Sequence, residues 1–346
     1  MSVLPGGCST REGAGRGEPF RLAGPPMLSR STVDRDEAVR TDARRLAERW
    51  PGAKLVLVDP RGRTPVRTLG GVEGRAPLSG WGDPGASSGG GGDYALSFQD
   101  TAGFGPTPPE RAVLLGESGD DVYWALRVDE RADRDDPSWA DLRAVGALLG
   151  DTDAGLLTAA VALLNWHDAA GFCSACGSPT RRVKAGWARD CPACGREEYP
   201  RTDPAVICLV HDEEGVNGEH VLLARQAVWP AERYSVLAGF VEAGESLEAC
   251  VAREIAEEVG VAVRGVRYLG SQPWPLPRSL MVGFAAVASR ETPLQPRDGE
   301  IEEAHWVHRD EVRAALAAGG SVPGLILPGR ASIARQMLEG WANASG

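Results

Sequence analysis

The chain has 346 residues, enough for two or three domains, and its 42% hydrophobic and 25% charged residues are ordinary for a globular protein. The formal net charge of −11 argues against a protein that holds bulk nucleic acid by general electrostatics, but it allows an enzyme that acts on one end of a nucleic acid or binds divalent cations. No signal peptide opens the chain, and the longest apolar run, at 155–166, is too short to span a bilayer, so we expect a cytoplasmic protein without a membrane partner.

Composition and hydrophobic pattern divide the chain into several parts. The first residues are rich in Gly, Pro and Arg, which is typical of disorder. The predicted parts are a disordered tail at 1–30, an N-terminal α/β domain at 31–167 that contains a flexible Gly-rich insertion at 79–93, a zinc ribbon at 168–200 and a C-terminal domain at 201–346.

The N-terminal domain is expected to begin with a helix. Apolar spacing predicts this helix over 36–50, with Asp34 as its N-cap. Three strands follow, KLVLVD, AVLLGE and VYWALRV, and the sequence SGDD at 118–121 predicts a hairpin turn between the last two. A second helix, over 152–167, leads into the first cysteine pair.

Two CxxC pairs separated by 14 residues come next. Two such pairs present four thiolates that close a tetrahedral zinc site with bonds of about 2.3 Å, which leaves no open position on the metal. The zinc is therefore predicted to be structural and to order the segment that carries Tyr199, with redox or chance pairs as the alternative. The predicted ligands are Cys173, Cys176, Cys191 and Cys194, whereas Cys8 is assigned to the tail and Cys208 and Cys250 to buried apolar positions.

From residue 204 onward the pattern predicts a mixed sheet sandwiched between helices. The expected strands are AVICLVHD, HVLLARQ, YSVLAGF, VRYLGSQ, SLMVGFAAVA and EIEEAHWVH, and the expected helices lie at 246–259, 309–318 and 332–343. The segment SQPWPLPRS, at 271–279, contains three prolines, which lack the backbone N–H of a sheet ladder. It is therefore predicted to be a stiff extended ribbon that clamps Trp274, and not an ordinary strand.

The helix that follows Ser246 carries the acidic residues of greatest interest. Ser246 is a suitable N-cap and Gly260 a suitable C-terminal stop. Glu254, Glu257 and Glu258 share one arc beside the apolar stripe, because residues three and four positions apart lie on the same helix face. Carboxylates this close repel one another unless a hard cation such as Mg²⁺ or Mn²⁺ lies between them. A solvated acidic face is the alternative.

The same stretch matches a complete motif. Arg253 is placed to pair with Glu245 and fix the loop before the helix. Residues 239–261 meet the spacing G-x5-E-x7-R-E-U-x-E-E-x-G-U without exception and resemble the Nudix box of the Nudix hydrolases. The resemblance implies an α/β/α sandwich that hydrolyses a diphosphate linked to another moiety, with metals that orient and activate water. It also implies a metal contact from the backbone carbonyl of Ala238, and it makes Glu258 the residue most closely tied to water activation.

With the cysteine ribbon upstream, SQPWPLPRS resembles the SQPWPFPxS array of NADH pyrophosphatases, relatives that also remove NAD caps from RNA. This resemblance implies that Tyr199 and Phe240 form a stacking slot for one base, with Glu300 as a metal ligand outside the box and Ala334 as a backbone contact. It further implies a dinucleotide site, partly across a homodimer interface, lined by Gln272, Pro273, Trp274, Pro275, Leu276, Pro277, Arg278 and Ser279. Leu276 departs from the family's phenylalanine, which removes one possible stacking surface.

The expected reaction is hydrolysis of the NAD(H) pyrophosphate to nicotinamide mononucleotide and AMP, and cleavage of NAD-capped RNA to a 5′-monophosphate end. A Nudix hydrolase of another nucleotide, such as ADP-ribose, is one alternative, because it would keep the box without needing SQPWP. A non-catalytic nucleic-acid-binding ribbon protein is the other, but it would leave the carboxylates without a purpose. Arg181, Arg182 and Lys184 of the ribbon either steer RNA or form a solvated basic turn.

Overall fold

The structure, a computed structural model, describes residues 17–69, 93–129, 136–296 and 299–344. The predicted insertion at 79–93 lies outside the described residues except for Asp93, and Cys8 also lies outside them. None of the helices in these ranges is long and apolar enough to cross a membrane.

The N-terminal domain contains two small sheets and a long helix. Strand β1 pairs in parallel with β5, β5 pairs antiparallel with β4 through the predicted hairpin, and β2 lies between β3 and β6. The elements in chain order are α1 (Glu37–Thr41), α2 (Ala43–Arg49), β1 (Lys54–Val58), β2 (Arg63–Thr68), β3 (Tyr94–Leu96), β4 (Val113–Ser118), β5 (Asp121–Arg127), β6 (Trp139–Asp141), α3 (Leu142–Val145) and α4 (Asp151–Ala169).

The first predicted helix is divided in two, and its predicted cap was wrong. The backbone of Asp42 is not helical (φ −83°, ψ 77°), and its side chain accepts a hydrogen bond from the Arg45 N–H, so Asp42 ends α1 and caps α2. Asp36 caps α1 through the Ala38 N–H. Asp34 instead exchanges backbone hydrogen bonds with Glu117 of β4.

The ribbon and the C-terminal domain complete the chain. The ribbon is an antiparallel sheet of β7 (Arg181–Val183), β8 (Ala188–Asp190) and β9 (Glu197–Glu198). The C-terminal elements are β10 (Asp203–His211), β11 (His220–Gln226), β12 (Leu237–Phe240), α5 (Leu247–Val259), β13 (Arg264–Trp274), β14 (Ser279–Val287), β15 (Ile301–His308), α6 (Arg309–Ala317), β16 (Ser321–Val322), β17 (Leu325–Ile326) and α7 (Ile333–Asn343).

The C-terminal domain is the predicted mixed sheet between helices. Its strands run in the order β13-β14-β10-β11-β15, β10 is parallel to β14, and β12 pairs antiparallel with β10. Alternate residues of β10 enter different cores, because successive side chains of a strand point to opposite faces. Ile207 and Leu209 pack with α6 and α7, whereas Val206 and Cys208 pack with α5. Cys208 and Cys250 are both buried, as expected.

The segment SQPWPLPRS is more regular than predicted. Ser271 to Trp274 belong to strand β13, where Pro273 stands opposite Leu280 and Trp274 opposite Ser279 of β14. A proline is tolerated here because β13 is the edge of the sheet and needs no N–H on its open side. The turn between β13 and β14 is formed by residues 275–278.

Residues 17–34, which we call the strap, connect both domains. They were expected to be disordered up to residue 30, but Phe20 is 3% exposed in the C-terminal core and Leu28 is 1% exposed in the N-terminal core. The Phe20 N–H donates to Asn217 at 2.7 Å, and the Met27 N–H donates to Gln336 of α7 at 3.2 Å. Long-range partners, which a local composition cannot reveal, therefore order this part of the predicted tail.

Candidate active site

The four predicted zinc ligands meet at one point of the ribbon. Their sulfur atoms all lie within 4.8 Å of one another, with 3.6 Å between Cys173 and Cys194 and 3.5 Å between Cys176 and Cys191. A zinc ion with four bonds of about 2.3 Å places its sulfur ligands about 3.8 Å apart, so this cluster fits the ion. Gly177 and Gly195, at φ 72° and 76°, close the two knuckles with left-handed turns.

The loop and helix of the Nudix-box motif form as their sequence predicts. The Ser246 hydroxyl accepts a hydrogen bond from the Ala249 N–H, and Gly260 ends α5 at φ 74°. Val251, Ile255 and Val259 are buried and attach the helix to the sheet. The opposite arc of α5 is thereby turned toward the loop that follows β12.

Arg253 organises the acidic face. Its guanidinium binds both oxygens of Glu245, at 2.8 and 2.9 Å, which confirms the predicted pair. It also donates at 3.0 Å to Glu254, to Glu257 and to the Phe240 carbonyl. Arg253 and the Glu242 N–H hold the pKa of Glu245 at about 2. One fixed cation therefore joins the loop to two of the predicted metal ligands.

Glu254, one of the predicted metal ligands, lies beside the end of β12, but no three of the predicted carboxylates lie within 4.8 Å of one another among the described residues. Gly239 lies directly against Glu254, because an added Cβ atom at Gly239 would be 1.8 Å from the Glu254 Cδ atom. Burial raises the pKa of Glu254, Arg253 opposes this effect, and the charges of Glu257 and Glu300 add to it. Glu300 also accepts a hydrogen bond from Gln226 at 2.8 Å. The charges of Glu254, Glu257 and Glu300 thus act on one another, and carboxylate oxygens are ligands that Mg²⁺ and Mn²⁺ prefer.

A cavity of about 200 Å³ lies beside this acidic face. Its walls include Glu258, which is 6% exposed, together with Ala238, Gln272 and Trp274. Glu258, which is predicted to activate water, and Trp274 of SQPWPLPRS therefore line the same cavity.

A second cavity, of about 290 Å³, continues this cleft. The two cavities share Trp229, Ser235, Trp274 and Ser332. The second cavity adds two cations, Arg143 of α3 and Arg233, to its walls. Sequence reasoning missed both arginines and Trp229. Trp229, like Trp274, is followed by a proline, and this likeness could have identified it.

Much of SQPWPLPRS also joins the two domains. Gln272 is fully buried, where it accepts from the Leu28 N–H at 3.3 Å and donates to the Ala331 carbonyl at 3.0 Å. The Pro275 carbonyl accepts from Asn165 of α4 at 3.1 Å. Trp274 and Leu276 pack against the N-terminal core, and Arg278 pairs with Asp203 at 2.6 Å. The segment therefore joins the two domains and also lines the cavity.

The remaining predicted contact residues, Tyr199, Phe240 and Ala334, are not among the residues that line this cleft. Tyr199 and Phe240 are 59% and 58% exposed, and no aromatic ring pair joins them in the part of the chain that the structure describes. Ala334 is buried in the first turn of α7, where its N–H donates to Ser332 at 3.2 Å. The stacking slot expected from Tyr199 and Phe240 therefore stays a prediction.

Comparisons with known families cover most of the chain. The NUDIX domain matches residues 201–324, the NADH pyrophosphatase zinc ribbon domain matches 168–199, and the NADH pyrophosphatase-like rudimentary NUDIX domain matches 91–166. The NAD-capped RNA hydrolase NudC of Mycobacterium tuberculosis is 49% identical over 94% of this chain and 97% of its own length. The mitochondrial NAD(P)H pyrophosphatase NUDT13 of Homo sapiens is 41% identical over 59% of each chain. A crystal structure of a NUDIX hydrolase from Nitrosomonas europaea is 26% identical, with a TM-score of 0.34 over 40% of this chain and 78% of that chain.

Proposed function

Because the chain belongs to the Nudix hydrolase family of NADH pyrophosphatases and NAD-capped RNA hydrolases, we propose that it hydrolyses the pyrophosphate bond of NAD(H) to nicotinamide mononucleotide and AMP. On NAD-capped RNA the same cleavage leaves a 5′-monophosphate end. The observation that carries this proposal is the cavity in which Glu258 and Ala238 face Trp274. A dinucleotide needs both surfaces, since its diphosphate requires the acidic side and its heterocycle an aromatic wall.

Divalent cations fit the acidic side of this cleft. The oxygen donors proposed to hold them are the carboxylates of Glu254, Glu257, Glu258 and Glu300 and the backbone carbonyl of Ala238. When bound, Mg²⁺ or Mn²⁺ neutralises phosphate charge and lowers the pKa of water. A structural zinc ion is proposed for the ribbon, one per chain, on the four clustered cysteines.

The protein side chains then have separate tasks. Glu258, which lines the cavity, is proposed to accept a proton from the attacking water, as a general base does. Arg253 keeps Glu254 and Glu257 in position through its two 3.0 Å hydrogen bonds. Trp274 offers a ring face to the nicotinamide or adenine base and helps to exclude water from the cleft.

We propose that the stacking slot forms between the two subunits of a homodimer. Tyr199 and Phe240 both expose their rings, and an exposed aromatic ring is a common element of an interface. We infer that Tyr199 of one subunit meets Phe240 of the other across the dimer. Light scattering on the purified protein tests the dimer. Mixing Tyr199→Ala subunits with Phe240→Ala subunits tests the shared slot, because each mixed dimer regains one intact slot and should recover part of the NADH hydrolysis that either variant alone has lost. A cytoplasmic location stays a prediction.

The function is tested by incubating the protein with Mg²⁺ or Mn²⁺ and four substrates: NADH, NAD⁺, ADP-ribose and NAD-capped RNA. We expect nicotinamide mononucleotide from the first two and a 5′-monophosphate RNA from the last, with ADP-ribose cleaved more slowly. Faster cleavage of ADP-ribose than of NADH would assign the protein to another nucleotide. No cleavage of any substrate, with RNA binding retained, would indicate a non-catalytic ribbon protein.

A further inference from the structure

A separate cavity, of about 460 Å³, lies between the N-terminal domain and the zinc ribbon. Its walls come from α1 and α2, from the loop at 107–112 and from ribbon residues 182–186. It shares no lining residue with the two cavities beside the Nudix-box helix. The reaction proposed above makes no use of it.

The cavity carries more positive than negative charge. Arg40, Arg182 and Lys184 line it together with a single carboxylate, Glu110. Lys184 is compensated by Glu197 at 2.7 Å and, more distantly, by Glu37. Neither arginine lies within ion-pair distance of a carboxylate in the described ranges. Two guanidinium groups therefore line the cavity with Glu110 as the one carboxylate among its described lining residues, while Asp36, Glu37 and Asp168 act on them from outside the lining.

Two residues that line the cavity also carry buried hydrogen-bond donors. The Nε of Arg40 and the Nε1 of Trp124 are both buried without an acceptor among the described residues, and Trp124 is 2% exposed. Buried donors in folded proteins are almost always satisfied by protein, water or a bound ion, so these two call for an acceptor. Burial and the nearby Arg35 also lower the pKa of Arg40, and the charges of Glu37 and Asp36 offset this only in part.

The arginine side chains are held in place. The Arg40 guanidinium stacks on the Trp187 ring at 3.8 Å, and Trp187 is itself fixed by a 2.7 Å hydrogen bond from its indole nitrogen to the Leu114 carbonyl. Arg182 is anchored by a hydrogen bond to the Arg111 carbonyl. A guanidinium that is already oriented loses little entropy on binding an anion, and its planar fork matches phosphate oxygens.

We propose that this cavity binds the phosphate group of a nucleotide. Its apolar walls, among them Leu46 and Pro108, leave room for the attached nucleoside, since pockets for small ligands span roughly 300–1,000 Å³. Lys184 links the cavity to Tyr199, because its amino group lies 3.2 Å from the tyrosine oxygen. The phosphate comes either from the RNA chain behind an NAD cap or from free AMP released by the reaction; the first source rests on the proposed function.

The test compares the double variant Arg40→Gln/Arg182→Gln with the wild type and with Arg44→Gln, an exposed arginine outside the cavity. Calorimetric titration with AMP and with inorganic phosphate, without added divalent cations, measures binding directly. Hydrolysis of NADH and of an NAD-capped oligoribonucleotide measures kcat/KM. The salt dependence of the RNA reaction adds a readout that a purely structural role does not change, because each lost phosphate contact lowers the slope against log salt by about one.

Two results support the proposal and identify the source. A fall of about tenfold or more in kcat/KM for capped RNA, with a smaller salt slope and NADH hydrolysis within twofold of wild type, indicates RNA phosphate. A fall of about tenfold or more in AMP affinity, with the RNA rate unchanged, indicates the free nucleotide.

If AMP binding, phosphate binding and RNA hydrolysis are all unchanged, the proposal is wrong. Absence of NADH hydrolysis in the wild type would refute the proposed function alone, since AMP binding does not depend on it. Should the double variant lose zinc or melt early, Arg182→Gln alone is judged by the same criteria.

Discussion

Replacing Gly239 with Ala is the sharpest test of the acidic site, because it adds one methyl group and removes no charge. The new Cβ atom would lie 1.8 Å from the Glu254 Cδ atom and 2.2 Å from both carboxylate oxygens. Restoring an ordinary contact of 3.4 Å requires the carboxylate to move by about 1.6 Å. A displacement of about 1 Å at a reacting group can cost a hundredfold in rate, or about 2.7 kcal/mol of transition-state stabilisation.

We therefore expect Gly239→Ala to lower kcat for NADH by about a hundredfold or more, with little change in thermal midpoint. Gly171→Ala is the matched control, because its added Cβ meets nothing within 4 Å. If the methyl group acts through Glu254, the double variant with Glu254→Gln should be no slower than Glu254→Gln alone. Activity of Gly239→Ala within threefold of wild type would refute the placement of Glu254 at the reaction centre.

Four further outcomes are expected. Glu258→Gln should lose about a hundredfold or more in kcat while its thermal midpoint stays near wild type, and turnover close to wild type would remove Glu258 from the mechanism. Cys191→Ser should lower the thermal midpoint and the zinc content from about one per chain, and a stable, zinc-free, active variant would contradict the structural role. Trp274→Ala should reduce NADH hydrolysis about tenfold relative to ADP-ribose hydrolysis, with Trp274→Phe in between, whereas an equal loss on both substrates would mean packing alone. Arg253 lowers the pKa of Glu245 from 4.5 to about 2. The pair therefore stabilises the fold fully above pH 4.5 and loses this contribution as the pH falls toward 2. The thermal midpoint of Glu245→Gln should depend less on pH in this window than the thermal midpoint of the wild type.

The sequence predicted best those features whose partners are close along the chain. The Ser246 cap, the Gly260 stop, the Glu245–Arg253 pair and the cysteine knuckles all depend on residues within a few turns of one another. Spacing alone is enough in such cases, because helix geometry brings residues three and four positions apart onto one face.

Features that depend on distant partners could not be predicted in this way. Pro273 argued locally against a strand, yet the edge position of β13 removes the need for its N–H. Gln272 lines the cavity, but the hydrogen bonds of its amide to the Leu28 N–H and the Ala331 carbonyl join residues far apart along the chain. Trp229 carries no complete motif, and the structure is needed to show that it lines both cavities together with Trp274.

The strap has a consequence for the order in which the chain can fold. Its hydrogen bonds with α7 join Met27 and Pro25 to Gln336, residues 309 and 311 positions apart. Contacts this distant in sequence close late, because the loop entropy must be lost before the contact is gained. During synthesis Leu28 can already pack in the N-terminal core, whereas Phe20 lacks its full core until α7 has been made. The strap can thus join the two domains only after α7 has been synthesised, and until then the nascent protein exposes apolar surface of the kind that chaperones recognise.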